Sequence, residues 1–268
     1  MVVFPNSKIN LGLDILSRRE DGFHNISSVF YPLPFAEALE ILPAEEFEIS
    51  FTGLDIPGDQ QNNLIIRAYH LLSSDFDLPP VKIHLHKVLP MGAGLGGGSA
   101  DAAYTIKLLN DIFELALSYK DMQAYAAHLG SDCPFFIFNQ PVLATGTGVE
   151  FEEVNLNLAG KYLILVCPDV HVGTAEAYSR VRPAIPQISV KEIIETIPLA
   201  EWKQHLKNDF EDSVFQIYPE LSLTKQSLYE AGALYASMTG SGSSIYGIFD
   251  EKPIYVDHLV AWQGELKI

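Results

Sequence analysis

The chain has 268 residues, 48% of them hydrophobic and 19% charged, a composition that gives a folded globular protein with a large core and excludes a disordered chain. Its formal charge of −17 repels nucleic acid and anionic lipid, so no nucleic-acid or membrane partner is expected, and any polyanionic ligand must be met by a local positive site. Cys133 and Cys167 lie in apolar runs and read as buried thiols, and no stretch reads as a signal peptide or a membrane span, so a cytoplasmic protein is expected.

In chain order, residues 8–16 are rich in branched side chains and predict a strand. Arg18-Arg19-Glu20-Asp21-Gly22 supplies a charged turn, and residues 23–33 return as a second strand. A short strand is predicted over 47–51. Residues 63–72 carry helical periodicity behind Asn63, a cap residue. Residues 81–87 alternate apolar with Lys and His, the pattern of a half-buried strand. A glycine run follows, then helices over 99–117 and 120–129, the second stopped by Gly130.

The pattern changes over 151–160, and a boundary near 152 divides residues 1–152 from 153–268. Beyond it lie an apolar strand over 161–167 and helices near 174–181, 190–196 and 221–230. A strand–turn–strand follows, 233–238 and 244–249, around Thr239-Gly240-Ser241-Gly242-Ser243. Antiparallel strands with grouped helices argue for an α+β fold and against a doubly wound parallel sheet.

The strongest signal is Pro90-Met91-Gly92-Ala93-Gly94-Leu95-Gly96-Gly97-Gly98-Ser99-Ala100, between a predicted strand and a predicted helix. Glycine lets the backbone take positive φ and lets an anion approach bare N–H groups, and the following helix turns its positive end to that anion. This is the local positive site that an acidic chain requires. A bare connector is disfavoured, since each glycine costs about 0.5–1 kcal/mol against alanine. Gly92, Gly94 and Gly97 satisfy the dinucleotide fingerprint, but the chain roughly 20 residues on is helical and lacks the acidic strand end. A Walker A loop fails as well: Gly98 stands where its lysine belongs, so the cation must come from elsewhere.

Taken alone, other residues have ordinary readings. Lys8 is a surface strand lysine, Asp132 a helix cap after Gly130, Lys87 a strand-end surface lysine, and Phe23-His24 the far side of a hairpin. Asn10 and Thr174 read as strand and cap residues.

The loop pattern Pro-x-x-x-Gly-Leu-Gly-Gly-Gly-Ser-Ala after a strand resembles the GHMP kinases. Lys8-Ile9-Asn10-Leu11, Asp21-Gly22-Phe23-His24, Asn63-Leu64, Gly130-Ser131-Asp132-Cys133-Pro134, Thr174-Ala175-Glu176-Ala177-Tyr178, Asn208-Asp209-Phe210-Glu211 and Thr239-Gly240-Ser241-Gly242 extend the resemblance over most of the chain. It implies an N-terminal ATP-binding α+β domain and a C-terminal ferredoxin-like α+β domain on the substrate side. It also implies transfer of a phosphoryl group from ATP, with Mg2+, to an alcohol. The Asp-Gly-Phe-His segment points to a member in isoprenoid synthesis whose small-molecule substrate carries a cytidine diphosphate moiety.

By resemblance the catalytic pair maps onto Lys8 and Asp132, a carboxylate base for the hydroxyl proton and an ammonium that keeps it ionised. Asn63, Leu64 and Lys87 map near the adenine, with Ser99 reaching phosphate or Mg2+; no metal-ligating set of protein side chains is expected. Phe23 and Tyr178 would sandwich the pyrimidine, His24 would bond its edge, and Asn10 and Thr174 would contact sugar or diphosphate. Two departures stand out: Phe23 where tyrosine is commoner, and Ser7 where alanine commonly precedes the lysine. A homoserine- or mevalonate-type kinase, an inactive ATP-binding relative and a nicotinamide oxidoreductase remain the alternatives.

Overall fold

The computed structural model describes residues 1–255, 257 and 259–268. Its strands are β1 (Val2–Val3), β2 (Asn6–Arg18), β3 (His24–Ala36), β4 (Ala38–Pro43), β5 (Glu48–Gly53), β6 (Val81–Lys87), β7 (Val142–Thr145), β8 (Glu150–Glu153), β9 (Tyr162–Val166), β10 (Tyr235–Met238), β11 (Ile245–Phe249) and β12 (Val260–Glu265). Its α-helices are α1 (Leu64–Asp75), α2 (Gly97–Ile112), α3 (Tyr119–Ala127), α4 (Cys133–Phe138), α5 (Thr174–Arg180), α6 (Val190–Thr196), α7 (Trp202–His205), α8 (Glu211–Ile217) and α9 (Pro219–Glu230). Among the described residues, no helix is long and apolar enough to cross a membrane.

The chain forms two compact units that interleave along the sequence. One holds Met1–Lys8, Pro32–Met91 and Gly96–Gln140, and the other holds Ile9–Tyr31, Gly92–Leu95 and Pro141–Ile268. These units differ from a linear cut at 152, because β3 pairs with β7 through Ser28–Ala144, Val29–Leu143 and Phe30–Val142, which draws early chain to later chain.

In the first unit the sheet order is β1-β4-β6-β5, antiparallel except for the β5–β6 pair. Val81, Ile83 and Leu85 face inward as the period of two requires. Lys87, which alone reads as a surface lysine, shares that inward register and is only 2% exposed. Helix α1 opens on Asn63, whose side chain accepts from the Ile65 N–H at 2.9 Å, the cap expected from sequence. Helix α2 ends five residues before the predicted 117: Glu114 and Ala116 take φ of 50° and 57°, and the Asn110 carboxamide accepts the Leu117 N–H. Helix α4 follows Asp132, read from the sequence as a helix cap, and holds Pro134 in its first turn, where the missing N–H has no partner to lose.

In the second unit β2, β3, β7 and β8 form one sheet and β10-β11-β9-β12 another. Counting β9, β10, β11 and β12 as first to fourth, the second sheet runs 4-1-3-2 and is antiparallel throughout, the ferredoxin-like order. Its core joins Leu13 and Ile15 to Ile164, Val166, Phe210, Leu221, Leu228 and Met238, all nearly inaccessible. Each such side chain contributes about 1.5–3 kcal/mol through removal from water. The fold is α+β. Cys133 is buried and Cys167 half-buried, and both are free thiols with pKa values raised by burial.

Candidate active site

The glycine segment joins β6 to α2. Gly92, Gly94 and Gly96 take φ of 66°, 77° and 72°, values that a side chain would strain. Gly96 caps α2 in the left-handed conformation with no side-chain bond to the helix, and the first turn holds no acidic residue. The leading N–H groups and positive dipole end of a 16-residue helix therefore favour an anion. A Cβ on Gly96 would stand 2.9 Å from the Phe136 ring and 3.3 Å from Lys8 Cγ, so the bare backbone lies directly on the lysine stem. Gly97 packs inward against Leu89 and Lys87, while Gly98 is exposed and meets only Leu64, at 3.9 Å. Ala93, Leu95 and Ala100 are buried and shape the loop, Pro90 is half-buried, and Ser99 sits half-buried in the first helical turn.

Beside this loop, still within the first unit, Lys8 Nζ lies 3.3 Å from Asp132 Oδ2, with side chains 4% and 33% exposed. Asp132 precedes α4 with φ −82° and ψ −15°, and its carboxylate makes no capping bond. The ordinary cap reading is thus unfilled, and the carboxylate is turned to the lysine instead. A half-open carboxylate against a buried ammonium can accept a proton from an alcohol without first giving up a helix cap.

A cavity of about 580 Å³ adjoins the loop, within the range of small-molecule sites. Asn63, Leu64, Lys87, Met91 and Gly98 all line it, so five of the residues assigned to the nucleotide come together. Phe51 and Pro57 give apolar wall. The Lys87 ammonium is already engaged, 2.6 Å from Glu37 Oε1 and 2.9 Å from Asp101 Oδ2. Glu37 Oε2 also accepts the backbone N–H groups of Val88 and Leu89 at 3.0 and 3.1 Å. Burial alone would lower the Lys87 pKa, but Asp101 and Glu37 outweigh it and the net direction is upward; burial pushes the Asp101 carboxyl up. Sequence reasoning missed Glu37 and Asp101, whose only signal is a carboxylate in an otherwise apolar pattern.

In the second unit His24 and Tyr178 stack, with ring centroids 4.8 Å apart at 23°, and Tyr178 meets the Phe210 edge. Phe23, expected to sandwich the pyrimidine with Tyr178, is 61% exposed at the hairpin tip. Gly22, with φ 87°, and the Asp21 carboxylate, which accepts the Phe23 N–H at 3.0 Å, turn that ring outward. Burial lowers the His24 pKa, and Arg18 acts in the same direction, which favours the neutral ring. Thr174 opens α5, with its hydroxyl 3.3 Å from Ser241 Oγ. Asn10 is 2% exposed, its Nδ2 donating to Ser28 Oγ at 2.9 Å. Two residues that the sequence singled out without a role are tied into the site, Thr239, bonded to Asn10, and Asn208, which donates to the Met238 and Gly240 carbonyls, while His171, whose ring packs against Gly92, escaped sequence reasoning.

Comparison with known proteins identifies the family. Residues 63–140 match the model of the GHMP kinase N-terminal domain, and residues 184–254 that of the GHMP kinase C-terminal domain. The chain is 50% identical to a 4-diphosphocytidyl-2-C-methyl-D-erythritol kinase of Parabacteroides distasonis, over 99% of this chain and 100% of the relative. It is likewise 50% identical to the enzyme of that name from Bacteroides fragilis, over the full length of both. A crystal structure of 4-(cytidine 5'-diphospho)-2C-methyl-D-erythritol kinase superposes with a TM-score of 0.78 at 30% identity, covering 94% of this chain and 91% of the other. The mevalonate kinase of Methanococcus jannaschii, with TM-score 0.68 and 14% identity over 93% and 90% of the two chains, shares the fold alone.

Proposed function

The chain belongs to the 4-diphosphocytidyl-2-C-methyl-D-erythritol kinases, within the GHMP kinases, and on that footing we propose that Lys8 and Asp132 carry its chemistry. It is an ATP-dependent kinase that phosphorylates the 2-hydroxyl of 4-diphosphocytidyl-2-C-methyl-D-erythritol in the non-mevalonate isoprenoid pathway. The observation that carries the assignment of roles is the Lys8–Asp132 pair, 3.3 Å apart beside the bare backbone of Gly96.

An alcohol is a poor nucleophile until its proton has somewhere to go. Asp132 Oδ accepts that proton as the oxygen attacks the γ-phosphorus and the bridge to ADP breaks, and the Lys8 ammonium beside it offsets the charge gathering on the phosphoryl oxygens. The N–H groups opening α2 hold phosphate, and Asn63, Leu64 and Lys87 wall the base and ribose. Ser99 offers a hydroxyl of the kind that Mg2+ takes alongside phosphate oxygens, and that ion, when bound, neutralises charge on the β- and γ-phosphates. On the substrate side, Tyr178 supplies the stacking face for cytosine, with His24 and Phe23 closing on it, and Asn10 and Thr174 meet sugar or diphosphate.

The test is transfer of labelled γ-phosphate from ATP to three acceptors offered separately: the cytidyl substrate, homoserine and mevalonate. Transfer to the first alone is expected. No transfer to it, or faster transfer to either of the others, overturns the reading.

A further inference from the structure

Beyond the residues already given roles, one hydroxyl in the second unit joins two parts of the machinery. Thr239 directly follows β10 and is fully buried. Its Oγ1 accepts the backbone N–H of Asn10 at 3.0 Å and lies 3.1 Å from the Gly94 carbonyl and 3.3 Å from Asn10 Oδ1. A threonine hydroxyl has a single proton, so it donates to one of those two acceptors at a time. The rest of the frame is also tied. The Thr239 carbonyl accepts the Gly242 N–H, the Thr239 N–H donates to Ser244 O, Ser244 N–H donates to Ala93 O, and the Tyr246 hydroxyl donates to Asn10 O at 2.7 Å. The approach is close enough to require glycine: a Cβ on Gly94 would stand 2.1 Å from Thr239 O, and one on Gly240 would stand 3.2 Å from Gly94 Cα.

We propose that Thr239 is a positioning residue whose hydroxyl fixes the glycine loop at Gly94 and the Asn10 segment in one register, so that nucleotide and alcohol substrate are held by a shared support. This rests on the roles proposed above for the loop and for Asn10. When the Asn10 carboxamide turns to a ligand, the Thr239 proton stays bonded by moving wholly to Gly94 O. The loop is therefore tightened by the same event that engages the substrate. Removal of the hydroxyl takes one buried bond from the Asn10 N–H and one from the Gly94 carbonyl, a loss that falls on both ligands at once.

The experiment compares Thr239→Val, which keeps the shape and removes the hydroxyl, with Thr239→Ser, which keeps the hydroxyl. Steady-state constants for ATP and for the cytidyl substrate are measured on each, together with melting midpoints. Thr239→Val is expected to raise KM for both substrates by roughly two- to tenfold each and to lower kcat, while Thr239→Ser stays close to the parent. In a cycle with Asn10→Ala, the double variant should lose less than the product of the single losses, because both act through one support. Should Thr239→Val fail to fold, Thr239→Ala against Thr239→Ser poses the same question. Overturning results are Thr239→Val with parental constants, a change confined to the melting midpoint, a Thr239→Ser enzyme as impaired as Thr239→Val, or strictly multiplicative losses with Asn10→Ala. Failure of the functional reading itself is separate: the unaltered protein would then transfer no phosphate to the cytidyl substrate.

Discussion

Two lysines of the first unit face carboxylates, and they differ in what they leave open. Lys87 is sealed between Glu37 and Asp101, with side chains 2%, 0% and 5% exposed, and Glu37 also collects two backbone N–H groups. Lys8 has a longer contact to a carboxylate that is 33% exposed and caps nothing. The first arrangement spends its bonding capacity on holding β6 against β3's end and α2. The second keeps an acceptor that a ligand proton can reach. The sealed cluster reads as support, and the carboxylate at the opening is the one to which the chemistry is assigned in the proposal above.

The sharpest way to break the comparison is to neutralise each carboxylate without changing its size. Asp132→Asn is expected to lower kcat by roughly 10²–10⁴-fold with both KM values and the melting midpoint near the parent's. Lys8→Met acts on the same step, so the double variant should fall far short of the product of the two losses. Single-turnover measurement decides it. An Asp132→Asn enzyme with a parental chemical step would return that residue to a structural role.

Glu37→Gln should behave in the opposite way. It removes charge from a sealed pair and leaves Lys87 with Asp101 alone, a change costing about 3–5 kcal/mol of stability when one partner of a buried ion pair is lost. Denaturant unfolding should show that loss while the folded fraction keeps most of its kcat. A large fall in kcat at unchanged stability would mean that the sealed cluster, too, serves the chemistry.

The aromatic residues offer a milder contrast between a ring already packed and a ring exposed. Tyr178→Ala and Phe23→Ala are each expected to raise KM for the cytidyl substrate, by about 1–3 kcal/mol of lost stacking, and to leave KM for ATP nearly unchanged. Because Tyr178 also packs on Phe210, its variant should lose stability, and that of the exposed Phe23 should not. Equal rises in both Michaelis constants would make these rings packing residues.

Much of this was legible from the chain. The turn from β6 into α2 was legible in five glycines before an amphipathic helix, the pattern behind the proposed anion site, and period-two alternation placed β6. The roles proposed for Lys8 and Asp132 came only from resemblance, since nothing local sets either residue apart from an ordinary strand lysine or helix cap. The sealed cluster was not legible. Glu37, Lys87 and Asp101 meet across separations of 50 and 14 residues, and only the packing of β6 against its neighbours puts Lys87 inward. The helix start at Asp132 and the segment holding Thr239 were legible, but the bonds that Thr239 makes to Asn10 and Gly94, far from it in the chain, were not. Contacts that depend on tertiary register leave no periodic trace.

The smallest expected effect comes from a buried carboxylate without a lysine of its own, the control for both clusters. Asp14 on β2 is 8% exposed, and burial, with Asp209 adding to it and Lys207 opposing, raises its pKa to about 6. In the unfolded chain the same group titrates near 3.8. Between those values the unfolded state releases its proton while the native state keeps it, so stability is greatest below the unfolded value and falls as pH rises through the native one. With Lys207 and nearby solvent screening the group, the loss is on the order of 1 kcal/mol. Asp14→Asn abolishes the titration. The variant should therefore be more stable than the parent at neutral pH and lose that advantage near pH 4. Urea unfolding of parent and variant from about pH 4 to 8 reads the difference directly. A constant gap between the two curves would mean that Asp14 titrates alike in both states, and that burial at this position leaves its charge fully solvated.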